Sequence, residues 1–289
     1  MKVEIVVEAR NILGECPIWC GRSRRLCWVD GRAPALHVFD PVTGRTANLP
    51  MPETIGSICL TEAGGLLGAM TSGVFHLSTA GKVGAMVVPR EADQPDNRFN
   101  DGRCDRRGRF WTGTMNDAAR VPTGNLWRIG GDGIAARMET GIIVPNSLAF
   151  APDDCTMYLA DTYRHAIFAY DFDIDDGAIS NRRLFADLTG HPGRPDGSAV
   201  DADGCLWNAE YAGGRVVRFR PDGRIDRVID LPVSQPTCCC FGGPGLDELY
   251  ITSARQRLSP EESAAQPLAG ALFVVRPGVR GLPEARYGG

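Results

Sequence analysis

The strongest constraint in this chain is an internal repeat. A turn rich in Asp, Gly or Pro leads into a short apolar stretch around one large residue and ends on small polar ones, six times over. The copies centre on Trp28, Leu67, Trp111, Tyr158, Trp207 and Tyr250, at separations of 39, 44, 47, 49 and 43 residues. A second apolar stretch follows each copy, as in Ala35-Leu-His-Val-Phe, Gly124-Asn-Leu-Trp-Arg-Ile and Gly270-Ala-Leu-Phe-Val-Val. Short alternating stretches bounded by turn residues, with hardly any helical period, indicate an all-β chain. A period of about 40–50 residues holding roughly four strands is the blade of a β-propeller. The expected fold is a six-bladed β-propeller with four-stranded antiparallel blades, one domain over residues 1–289. The 35 glycines and 20 prolines are then turn punctuation, since they are spread evenly and form no tracts.

Other classes are disfavoured. With 31 Lys and Arg against 35 Asp and Glu, the net charge of −4 gives no electrostatic case for nucleic acid or an anionic membrane. No apolar run approaches the ~18 residues a membrane span needs. The opening segment carries Glu4 and Glu8 and no long apolar run, so a signal peptide is not expected. Ten cysteines then read as reduced packing residues of a cytoplasmic protein. Neighbouring side chains in a strand face opposite ways, so Cys238-Cys239-Cys240 reads as strand packing. Ser259-Pro-Glu-Glu-Ser-Ala-Ala-Gln266 has the pattern of a capped helical turn. Asp171-Phe-Asp-Ile-Asp-Asp-Gly177 imitates a calcium loop, but position twelve is Arg182, and a hairpin turn is expected. There is no Gly-x-Ser-x-Gly elbow, and the four histidines are scattered.

In a propeller the innermost strands line a central channel, so residues entering them converge on one axis. Counting back from each central residue gives Glu15, Asn100, Asn146, Asp196 and Cys239, with the second blade's position near Ser57. Glu15, Asn146 and Asp196 together supply hard oxygen ligands carrying two negative charges. Such a set suits Ca²⁺, Mg²⁺ or Mn²⁺, and oxygen-only ligation does not exclude Zn²⁺. Burying two carboxylates without a counter-ion is costly, which favours a cation there. Arg98 and Asn100, in Asn97-Arg-Phe-Asn-Asp-Gly102, enter the third blade, where an Arg can bind substrate oxygens or fix a carboxylate.

Several segments carry a family resemblance: Leu13-Gly-Glu-Cys-Pro-Ile-Trp19, Asn97-Arg-Phe-Asn-Asp-Gly-Arg103, Trp111-Thr-Gly-Thr-Met115, Pro145-Asn-Ser-Leu-Ala-Phe150, Pro195-Asp-Gly197 and Tyr250-Ile-Thr-Ser-Ala-Arg255. In this order, over essentially its full length, the chain resembles the regucalcin (senescence marker protein) and gluconolactonase family of six-bladed propellers. The resemblance implies hydrolysis of a small-molecule sugar lactone at one divalent cation. It implies Glu15, Asn146 and Asp196 as metal ligands, Asp196 also as general base, and Arg98 and Asn100 as substrate contacts. Two positions depart from the family pattern. Cys16 stands where many members have Gly or Ser, and Asn116-Asp-Ala-Ala offers no clear match for an acidic substrate contact of some relatives. Two other readings stay open at this level: a propeller hydrolase of aryl esters or organophosphates, and a non-catalytic calcium-binding propeller. Neither the sugar, the metal nor the oligomeric state is specified by the sequence.

Overall fold

The computed structural model describes all 289 residues, in six antiparallel sheets arranged as the blades of a propeller. The innermost strands are Gly14–Cys20, Ile55–Thr61, Asn97–Cys104, Pro145–Phe150, Arg194–Val200 and Pro236–Gly242. Within each blade the chain steps outward by hairpins. The sequence motif explains two of these turns in detail. In blade three, Asp105 Oδ1 accepts the backbone N–H of Arg107 (2.9 Å) and Arg109 (3.1 Å), while Oδ2 accepts the Trp111 indole N–H at 2.8 Å. Asp201 repeats the device in blade five, bonding the N–H groups of Asp203 and Cys205 at 3.0 Å and the Trp207 indole at 2.8 Å. The six-residue Asp-to-Trp spacing thus lets one buried carboxylate close the hairpin and satisfy the indole that fills the core.

Packing follows the repeat. There are six apolar clusters, and each lies between two consecutive blades. Trp207 and Phe241, for example, join blades five and six with ring centroids 6.0 Å apart. Burial is therefore shared around the ring, and every blade depends on both neighbours.

Two features depart from six identical four-stranded units. Glu4–Val7, at the start of the chain, pairs antiparallel with Leu272–Val275 and supplies the outer strand of blade six. At the other end, Arg286–Tyr287 pairs parallel with Leu60 and Thr61, giving blade two a fifth strand. The tail is held by an Arg103–Glu284 ion pair at 3.0 Å and by the Tyr287 hydroxyl, which donates to Gly130 O at 2.7 Å. The expected helical turn is Pro260–Ala265, closed by a Ser259–Glu262 capping box, and residues 173–177 form the expected hairpin turn. Cys238, Cys239 and Cys240 are buried strand residues, and all ten cysteines are free. No helix is long and apolar enough to cross a membrane.

Candidate active site

Every innermost strand breaks register close to where it enters the channel. The breaks fall at Glu15/Ile18, Ile55/Ser57, Phe99/Gly102, Asn146/Ala149, Pro195/Ser198 and Pro236/Cys238. A bulge turns one or two residues out of the ladder and re-aims their side chains. In blades one and four the residue after the site residue, Cys16 or Ser147, has a left-handed φ of 47° or 60°. In blade five that place is Gly197, where a Cβ would stand 2.2 Å from Cys238 Sγ. The bulges correct two expected positions. Blade six offers Thr237 at its break, whereas Cys239 lies beyond it, paired with Ile251 and buried in the apolar core. Blade two offers Gly56 in place of Ser57. The counting rule misplaced them because the bulge does not sit at one fixed distance from the central residue.

Glu15, Arg98, Asn100, Asn146 and Asp196 line one cleft at the mouth of the channel. Asn146 is held firmly. Its Nδ2 donates to Thr162 Oγ1 at 2.8 Å, and that hydroxyl donates to Pro195 O at 2.8 Å, which fixes the amide with its oxygen towards Asn100. Asn100 Nδ2 donates to both Asn146 Oδ1 (3.0 Å) and Pro145 O (2.9 Å), while its Oδ1 accepts Arg98 Nη1 at 2.9 Å. Arg98 Nε donates to Asp117 Oδ2 at 3.0 Å, so Nη2 is the guanidinium nitrogen without a protein acceptor.

The carboxylates are differently placed. No side chain forms an ion pair with Glu15 or Asp196, although Asp196 is only 5% exposed. Burial, then the charges of Asp196 and Asp101, push the Glu15 carboxyl well above its ordinary value. Burial and Asp101 do the same to Asp196, against a smaller opposing pull from Gly197 N–H and Arg120. Asp101 is a third, half-buried acid that the sequence reading missed. Its oxygens are taken by the N–H groups of Gly102 (2.9 Å) and Leu148 (3.0 Å). The structure has no group of three or more His, Cys, Asp or Glu side chains in metal-holding geometry, so a cation here would rely on two carboxylates and the Asn146 amide. That donor set fits a hard divalent cation, whose charge would offset the burial and repulsion that raise both acids.

The two departures noted in the sequence have clear places. Cys16 is buried with Sγ 3.3 Å from Ile58 N and O, facing the neighbouring blade and not the cleft, and burial pushes its thiol up. Asp117 does reach the site, bridging Arg32 (2.7 Å), Arg98 (3.0 Å) and Arg120 (2.7 Å). Despite its burial, Arg98 and Arg32 hold its carboxyl far below the ordinary range. Other cleft residues had no signal in the repeat, because Thr162, Tyr163, Arg120 and Arg257 come from loops between strands.

With this geometry, the comparisons with known proteins are decisive about kinship. Residues 13–255 match the SMP-30/Gluconolactonase/LRE-like region. The chain belongs to this family. A 6-deoxy-6-sulfogluconolactonase of Pseudomonas putida is 40% identical over 99% of both chains. An L-arabinolactonase of Azospirillum brasilense is 38% identical over 99% of this chain and 95% of its own. Among solved structures, a calcium-binding regucalcin of Agrobacterium tumefaciens superposes with a TM-score of 0.93 at 31% identity, covering 98% of this family member and 96% of that chain. The six-bladed architecture is thus the family's.

Proposed function

We propose that this chain is a divalent-cation-dependent lactonase that opens a sugar lactone to its aldonic acid. One observation carries the reading: two carboxylates, the buried Asp196 and the half-buried Glu15, face the same cleft as the oriented Asn146 amide with no ion-pair partner of their own. Glu15, Asn146 and Asp196 are the residues that would hold the cation, which when bound polarises the lactone carbonyl and offsets charge developing on its oxygen. Asp196 takes a proton from the attacking water as the water oxygen bonds to the carbonyl carbon. The ring C–O bond then breaks, and the proton passes to the departing ring oxygen. Arg98, through its free Nη2, and Asn100, through the remaining lone pair of Oδ1, bind ring hydroxyls and orient the lactone. The family relatives named for lactones support this choice over an esterase of aryl or phosphate substrates.

The test is a panel of aldonolactones followed by acid release, with Ca²⁺, Mg²⁺, Mn²⁺ or Zn²⁺ and with chelator. Cation-dependent opening of five- or six-membered sugar lactones is expected. Turnover of aryl or phosphate esters alone would overturn the proposal, as would cation binding with no turnover.

A further inference from the structure

Beyond the reacting centre, the cleft carries an excess of positive charge. Arg32, Arg98, Arg120, Arg194 and Arg257 all line it, in a chain whose net charge is −4. Only one carboxylate, Asp117, pairs with any of the five, and it is shared among Arg32, Arg98 and Arg120. Arg194 and Arg257 have no carboxylate within 4.0 Å. They gather instead around Tyr163, whose ring centroid lies 4.9 Å from Arg194 Cζ and 5.6 Å from Arg120 Cζ. Burial pushes the Tyr163 hydroxyl up, but Arg257 beside it and the charges of Arg120 and Arg194 outweigh this and hold it below its ordinary value. Arg120 is also incompletely satisfied, since its Nε is buried without an acceptor. Like charges crowded at a cleft wall repel one another and concentrate anions there. The ring of a neutral lactone has no charge to offer them.

We infer that the substrate is a lactone carrying a permanently charged tetrahedral oxyanion, a sulfonate or a phosphate ester, and that Arg194 and Arg257 bind that group beside Tyr163. The inference rests on the lactonase reading above and narrows it. Three oxygens on one centre can accept from several guanidinium groups at once, which a planar carboxylate does less completely. The Tyr163 ring lies under Arg194 and Arg120 and keeps those guanidinium groups in place while leaving their N–H edges free, and Arg257 lies beside its hydroxyl.

The experiment compares wild type with Arg194→Gln, Arg257→Gln and Arg194→Lys, all loaded with the active cation. The substrates are gluconolactone and its 6-sulfonate, 6-phosphate and 6-carboxylate counterparts. Wild type is expected to favour the sulfonate or the phosphate in kcat/KM, and the preferred one identifies the oxyanion. Each Gln variant should lose about 10- to 100-fold in kcat/KM on that substrate, mostly through KM, the range for one charge-assisted contact. The loss on gluconolactone should be at least tenfold smaller, and Arg194→Lys should recover part of the charged-substrate activity. Equal losses on charged and neutral lactones, or a wild-type preference for gluconolactone or the carboxylate, would overturn the oxyanion site and leave the lactonase reading standing. If wild type opens no lactone with any cation, the lactonase reading itself falls and takes this substrate with it.

Discussion

Thr162 is the residue whose replacement tests the architecture of the site most directly. It touches no reacting atom in the proposed chemistry, yet its hydroxyl joins two blades. It accepts from Asn146 Nδ2 and donates to Pro195 O, each at 2.8 Å, next to the two positions that would hold the cation. Thr162→Val keeps the shape and removes both bonds. Each buried polar atom left without a partner costs about 1–3 kcal/mol, so the loss should total about 2–4 kcal/mol after partial relaxation. For a chain of this size that lowers Tm by roughly 4–16 °C. Asn146 would also be free to turn its amide, and losing such an outer support weakens metal affinity by about 10–100-fold. Calorimetric titration of the cation-free protein with Ca²⁺ or Mn²⁺ measures the affinity, and thermal denaturation with chelator measures the stability. Thr162→Ser, which restores the hydroxyl, should return affinity close to the wild-type value. If Thr162→Val binds the cation as tightly as wild type, Asn146 is not a ligand oriented by Thr162, and the reasoning fails.

Further expectations concern chemistry, core and pH. Asp196→Asn should abolish lactone turnover while keeping the chelated protein at least as stable as wild type, because it removes a buried carboxylate without an ion-pair partner; retained turnover would take Asp196 out of its role. Asp201→Ala should cost about 3–5 kcal/mol, since it strands the Trp207 indole, two backbone N–H groups and one partner of buried Arg218. The corresponding change at the solvent-facing turn of blade one, Asp40→Ala, should leave Tm nearly unchanged, and denaturant melts compare the two. His37 is buried with Nε2 2.8 Å from Asn11 Nδ2, and burial, partly opposed by Asp30, holds its imidazole below its ordinary value. The unfolded chain therefore binds a proton the folded one does not, and stability falls as pH drops below about 6.5. Between pH 7.5 and 5.5, His37→Gln should lose less Tm than wild type; equal losses would contradict the assignment.

The fold was legible because its signals are local. An Asp six residues before a Trp builds a hairpin from its own neighbours, as Asp105 and Asp201 do, and six such units at a blade-length period leave little choice of architecture. The same periodicity brought Glu15, Asn146 and Asp196 into equivalent places, so their meeting in one cleft followed from register alone. Periodicity could not say where each inner strand bulges. That depends on how the strand packs against its neighbours, and it is why Cys239 and Ser57 gave way to Thr237 and Gly56. Nor could it show that residues 4–7 complete the last blade beside 272–275, a pairing between the two ends of the chain. The charge around the site was hidden for the same reason. Arg120, Arg194 and Arg257 are far apart in sequence and unremarkable as single residues, and a net charge of −4 conceals them. Only closure of the ring sets them around Tyr163 and hands Asp117 to Arg32, Arg98 and Arg120 at once. Short-range turn chemistry and period determined the scaffold and the positions of the proposed site residues. Contacts between distant segments, which carry no periodic trace, decided what surrounds them.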